Sequence, residues 1–349
     1  MALTSKLSAI GDAIRAKAGT TTKYTLANMP TAIKNLPSGA TTLIGQWCEG
    51  TLTSVSKGIV NSVDTIAQDL FGGTAKTLNQ PNVTTIARSG LANCSPLVTV
   101  TLDGVKSLSK YAFESCKNLQ TVSVNACTSF EMAVFQGCSS LQTVSINSCT
   151  SMSENMFSNC SSLTTLNAKK LTKIDGSAFS GRSKLTTVNT PACTSVGQNA
   201  FLQCTSLTSI DLSSCTSIDQ EAFENCEKLT SINAPKCTSL GGSVFQNCYL
   251  LASVYLGALT TSFSSATFSN CYSLTSLVIT KTSSVVSWTN DAAFNNCYHL
   301  TGTTDATYNP TGAQDCYIYV PDTLVDSYKT ADRWSNYASQ IKPLSEYTG

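Results

Sequence analysis

The sequence predicts an α/β solenoid, a body wound from short coils that repeat along the chain. Three observations carry that expectation. Phe113, Phe135, Phe157, Phe179, Phe201, Phe223 and Phe245 stand 22 residues apart, and Phe268 and Phe294 follow after 23 and 26. A cysteine comes three residues after each anchor (Cys116, Cys138, Cys160, Cys204, Cys226, Cys248, Cys271, Cys297), with Arg182 as the exception. A leucine comes six residues after each, from Leu119 to Leu300. A fixed period of this size marks coils that cannot bury an apolar face alone and must stack on one another. It also favours a long surface for recognition over a single pocket.

The elements follow in chain order. Residues 1–38 read as a helical hairpin. Leu3, Leu7, Ile10 and Ile14 form one apolar stripe at helical spacing, and Leu26, Met29 and Ile33 form a second. Gly19 suits the end of the first helix, and Pro37-Ser38-Gly39 closes the second. So short a hairpin buries little by itself and is expected to dock on the body, a copy of itself or a partner. Residues 39–85 read as an N-terminal cap with degenerate repeats, in which Ile66 and Phe71 keep the anchor spacing of five. Terminal coils depart from the pattern because one of their faces meets solvent.

Residues 86–300 are the regular solenoid. In each coil the L-x-x-V-x-L segment, such as Leu141–Ile146, alternates apolar and small polar residues and reads as a strand. Strands of successive coils are expected to pair in parallel, about 4.8 Å apart. The S-I-x-x-x-A-F segment, such as Ser217–Phe223, reads as a tight helical turn on the return side. Residues 301–349 form a C-terminal cap. A Gly/Thr/Asn/Pro-rich loop leads to the strand-like Tyr317-Ile318-Tyr319-Val320, and Tyr328, Trp334, Tyr337 and Ile341 continue an apolar stripe.

Of the 16 cysteines, a second column lies 14 residues after the anchors: Cys127, Cys149, Cys193, Cys215 and Cys237, with Leu171 and Leu259 in the same register. Exchange with leucine marks an apolar core position, and a buried free thiol behaves as a small hydrophobe. No CxxC pair occurs, and a single histidine cannot complete a Cys/His site, so neither metal nor cofactor is expected.

Charge and motifs exclude further classes. Only 12% of residues are charged, the net charge is +1, and no basic block exists to attract nucleic acid. No apolar run reaches the length of a membrane span. The N-terminus lacks the apolar region of a signal peptide, so the chain is expected to stay where it is made, or to leave by lysis or by a route not written in its N-terminus. No phosphate-binding glycine motif is present, and catalytic triads would all depend on His299. An enzyme is not expected.

The unit I-x-x-x-A-F-x-x-C-x-x-L-x-x-V-x-L, held in register over roughly residues 60–300, resembles the BspA-type leucine-rich repeat. Tyr317–Asp322 with Tyr328 and Trp334 resembles the segment that often closes such arrays. The resemblance implies a surface-exposed adhesion module. The opening Leu7–Gly19 resembles a leader of phage and prophage structural proteins of gut Firmicutes, which implies a virion protein assembled in the host cytoplasm.

Recognition residues are sought where aromatics gather. Ten of the 12 tyrosines lie after residue 248, so the anchors of any interface concentrate at that end. Tyr249, Tyr272 and Tyr298 share one column, four residues after successive anchors, where earlier coils carry Ser139, Ser161, Ser183, Thr205 and Glu227. A stack of tyrosines is a rigid, amphipathic patch suited to sugar or protein, and Tyr255, Trp288 and His299 are candidates to extend it. The expected function is a tail-fibre, baseplate or head-fibre adhesin. It would contact other virion proteins through the hairpin, work alone or as a homotrimer, and bind a host-surface glycan or protein. The alternatives are a bacterial cell-surface or secreted adhesin, and a structural capsid or tail decoration protein.

Overall fold

The computed structural model describes residues 54–55, 77–79, 83–86, 88–95, 97–153, 155–257, 259–260, 262–280, 283–288, 291–301 and 315–349. The hairpin expected over residues 1–38, with Leu3, Leu7, Ile10, Ile14, Leu26, Met29 and Ile33, lies outside them. Two compact units are present, one comprising residues 1–145 and 155–160, the other residues 146–154 and 161–349.

In the first unit two parallel ladders are built from strands of two or three residues. One joins Ser54–Val55, Thr85–Ile86, Ser107–Leu108 and Ser129–Phe130. The other joins Thr77–Asn79, Thr99–Thr101, Thr121–Ser123 and Thr143–Ser145. Partners differ by about one repeat, as in Val100↔Val122↔Val144, so each coil presents the same repeat position to its neighbour. The second unit repeats the plan with Lys173–Ile174, Ser195–Val196, Ser217–Ile218 and Ser239–Leu240 on one side. Opposite run Thr165–Asn167, Thr187–Asn189 and Ser209–Ile210. Later in this unit the strands lengthen to four residues at Ser231–Ala234, Ser253–Leu256, Ser276–Ile279 and Tyr317–Val320, and Ile341–Pro343 completes that ladder.

The expected helical turn before each phenylalanine is absent from the coils anchored by Phe113 to Phe268 and is present as one 3-10 turn, Asp291–Phe294, at the last anchor, which corrects the α/β assignment to a parallel-strand β-solenoid with few helices. The described α-helix is confined to Tyr298–Thr301 and Val325–Thr330. The cause is backbone conformation. For the anchors Phe113 to Phe268, the residue two before (Tyr111, Ala133, Ser177, Asn199, Glu221 and Ser243 among them) and the residue two after (Ser115, Gly137, Gly181, Gln203, Asn225 and Asn247 among them) have positive φ, between 53° and 74°. Left-handed residues at such spacing cannot continue a right-handed helix. They turn the N–H groups toward the next coil instead of the next turn. Tyr111, Phe113 and Ser115 donate to the carbonyls of Met132, Val134 and Gln136, and Glu221, Phe223 and Asn225 donate to those of Gly242, Val244 and Gln246.

The core is a set of columns. Phe113, Phe135 and Phe157 stack with centroids 5.5 and 5.7 Å apart in the first unit. The column from Phe179 to Phe294 stacks at 5.2–5.8 Å in the second. The 15 described cysteines are all free and buried. Each thiol of the first column donates to the carbonyl of the previous coil's anchor residue, as Cys138 Sγ does to Phe113 O at 3.0 Å and Cys226 Sγ to Phe201 O at 3.2 Å. Thiols of the second column donate two residues ahead, Cys215 to Ser217 O at 3.1 Å among them. A small apolar side chain that also donates suits positions where a buried carbonyl needs a second partner, which accounts for cysteine in place of valine or alanine.

Candidate binding surface

In the second unit Tyr249, Tyr272 and Tyr298 come together as the column predicts. Their centroids are 5.0 Å apart at both steps, with interplanar angles of 9° and 17°. Each follows a buried cysteine of the core (Cys248, Cys271, Cys297), so the repeat that aligns the thiols also aligns the phenols. Stacking uses up the facing ring surfaces. Tyr298 is 7% exposed, and the accessible part of the stack is at Tyr249 and Tyr272, beside Leu250, which is 47% exposed.

The remaining candidates go elsewhere. Trp288 is buried in the aromatic core at the end of the array, stacked on Trp334 at 4.8 Å and edge-on to Phe294. Trp334 Nε1 donates to Val286 O at 2.6 Å, and Val286 N donates to the Tyr328 hydroxyl at 3.0 Å, so this core is tied by hydrogen bonds as well as by packing. Burial pushes the Tyr328 phenol up to about 12. His299 is half-buried, with Nδ1 2.5 Å from Asp315 Oδ1.

Tyr255 belongs to a second aromatic surface, on the outward face of the four-residue strands. The burial of Ser253–Leu256 alternates, with Val254 and Leu256 inside and Tyr255 outside. In Tyr317–Val320 both tyrosines point outward, and Tyr317 is 39% exposed. Tyr347 closes over them, 6.0 Å from Tyr255 and 5.1 Å from Tyr319. Val278, in register between Tyr255 and Tyr319, is 1% exposed although alternation turns it outward, so the rings close over it. Lys342 Nζ lies over the Tyr317 ring at 5.7 Å. The Tyr319 phenol is held above its usual range, first by desolvation and then by the neighbouring Tyr317 and Glu346.

Sequence reasoning about sites did not single out Tyr317, Tyr319, Lys342 or Tyr347. The Tyr-x-Tyr spacing in a strand was a usable signal, since period two puts both rings on one face. Tyr347 carried none, because it meets Tyr255 only through the path of the closing segment. Among the described residues no cluster of three His, Cys, Asp or Glu is placed to hold a metal ion, and no helix is long and apolar enough to cross a membrane.

The repeat matches the family model for the BspA type leucine rich repeat region, in six copies over residues 64–186 and 172–301. The chain belongs to this family. Solved structures with a similar repeat include a leucine-rich cell surface protein from Faecalibacterium prausnitzii, 23% identical over 77% of this chain and 78% of that one, with a TM-score of 0.37. A leucine-rich repeat protein from Bacteroides ovatus is 18% identical over 85% and 84% of the two chains, with a TM-score of 0.34. The leucine-rich repeat protein of T. pallidum is 23% identical over 48% and 72%, with a TM-score of 0.32. No curated protein matches the chain. Membership of the BspA-type family rests on the repeat model.

Proposed function

We propose that this chain is a non-enzymatic recognition protein, carried on a phage virion as a tail-fibre, baseplate or head-fibre adhesin, that binds a host-surface glycan or protein through its tyrosine-rich end. The observation that carries the recognition reading is the stack of partly exposed tyrosines in the last coils: Tyr249 and Tyr272 stand in a column where earlier coils place serine, threonine or a charged residue. Tyrosines held rigid by their neighbours offer contact area at small entropic cost. The virion setting is supported by the resemblance of Leu7–Gly19 to phage structural leaders, with residues 1–38 as the contact to other virion proteins and a homotrimer as the assembly.

The test uses the labelled full chain on a panel of gut Firmicutes cells, beside Tyr249→Ala/Tyr272→Ala and a chain lacking residues 1–38. The adhesin reading expects binding that the double substitution removes at unchanged stability. The virion setting expects that removing residues 1–38 abolishes incorporation into particles and turns a trimer into a monomer by light scattering. Family membership favours a second reading, a bacterial cell-surface or secreted adhesin, because BspA-type repeats are generally surface adhesion modules. For that protein the shortened chain keeps both its cell binding and its role. Absence of cell binding in every form leaves a decoration protein.

A further inference from the structure

We infer that the outward face of the last strands is a binding site for an acidic pyranose, a sugar ring bearing a carboxylate. The inference rests on the recognition reading above and names the ligand class. Tyr255, Tyr319 and Tyr347 form a tilted, contiguous aromatic surface, with Tyr317 6.4 Å from Tyr319 at its edge. Aromatic faces of this kind accept the C–H face of a sugar ring, while their hydroxyls and the neighbouring serines meet its polar rim.

Two further observations select the ligand. Ser276, in register between Ser253 and Tyr317, has a buried hydroxyl with no hydrogen-bond partner. Buried polar atoms are rarely left so, and an orphan hydroxyl in register with a 39% exposed tyrosine on the neighbouring strand is a ready partner for a ligand hydroxyl once that ring tips aside. An apolar peptide side chain would leave it unsatisfied. The second observation is charge. Lys342, paired with Tyr319 in the register, sets its ammonium at the Tyr317 ring, where a ligand carboxylate would meet it. Glu346 is the opposing charge of the closing segment, and it is exposed.

These placements give each residue a distinct signature. Tyr319→Ala and Tyr255→Ala are expected to weaken binding about tenfold or more, as loss of a central aromatic contact does. Lys342→Gln is expected to remove the preference for an acidic over a neutral sugar, and Glu346→Gln to tighten acidic binding. Ser276→Ala separates ligand from scaffold: it deletes a hydroxyl that bonds to nothing in the fold, so thermal stability stays level or rises while binding weakens.

The experiment is a calorimetric or NMR titration of the full chain with sialyllactose and trigalacturonate as acidic probes and lactose as the neutral one. Binding of an acidic probe that falls with salt and with Tyr319→Ala, Ser276→Ala and Lys342→Gln supports the site. Failure of both acidic probes at millimolar concentration, equal binding of lactose, or binding indifferent to these substitutions overturns it. Cell binding that persists in Tyr255→Ala/Tyr319→Ala overturns this site and leaves the adhesin reading standing. Absence of cell binding by the wild-type chain removes that reading itself.

Discussion

Two aromatic columns run through the second unit on the same repeat, four residues apart, and they differ in almost every other respect. The phenylalanines from Phe179 to Phe294 recur in every coil, are fully or almost fully buried, and stack at 5.2–5.8 Å. The tyrosines occupy only the last three coils, stack at 5.0 Å, and grade from half-buried Tyr249 to buried Tyr298. A side chain that every coil needs belongs to the fold. One that appears in three coils, where serine, threonine or a charged residue served before, answers to something outside it.

That contrast can be broken most forcefully at the phenylalanines. Phe201→Ala is expected to cost about 3–5 kcal/mol, the range for emptying a buried phenylalanine site, and to shift the denaturant midpoint accordingly. A smaller loss would mean that the column is filler. Gly257→Ala comes next. A Cβ there would stand 2.3 Å from the Pro235 carbonyl oxygen, which is backbone of the preceding coil and cannot swing away. A loss of about 1–3 kcal/mol is expected in the same measurement.

The thiol columns make a pH prediction. Burial pushes Cys204 and Cys215 up to about 12 and Cys149 and Cys237 up to about 11. Unfolded thiols ionise near about 8.5, so the folded state holds its thiol protons longer. Stability from this source is complete below about 8.5 and falls as pH rises toward about 11–12. Melting temperatures from pH 8 to 11 should decline steeply, and Cys215→Ala should flatten the decline; a wild-type curve level to pH 11 would contradict buried thiols. The smallest expected effect is at the second column. Tyr272→Ala should cost about 1 kcal/mol of stability, one aromatic contact on each side. If it cost as much as Phe201→Ala, the tyrosine column would be scaffold too.

Much of this was readable beforehand, because burial recurs with the period. The Phe, Cys and Leu columns, the parallel register and the alternation in L-x-x-V-x-L are all written as identity at fixed spacing. The return turn was misread as helical because its conformation has a weak chemical signature. Asparagine and glycine two residues after the anchor (Gly137, Gly181, Asn225, Asn247) do mark left-handed backbone. The position two before it holds asparagine only at Asn155 and Asn199; Tyr111, Ala133 and Glu221 mark nothing, and there the inter-coil hydrogen bonds decide. At the surface, the tyrosine column was legible because it shares the repeat. Trp288 was assigned to that surface because its partner Trp334 lies in a segment outside the repeat. The Tyr255–Tyr319–Tyr347 face escaped for the same reason, since irregular segments set its third ring.

The hooking of each turn onto the next coil has one more consequence. Glu221, Phe223 and Asn225 find the carbonyls of Gly242, Val244 and Gln246, and the equivalent residues one repeat earlier find theirs in the same way. Among coils hooked in this way, one junction is therefore interchangeable with the next. A repeat spliced out or copied in leaves the flanking coils facing partners of the same kind, so the lineage can lengthen or shorten this molecule one notch at a time, as a ruler is cut, without redesigning either end.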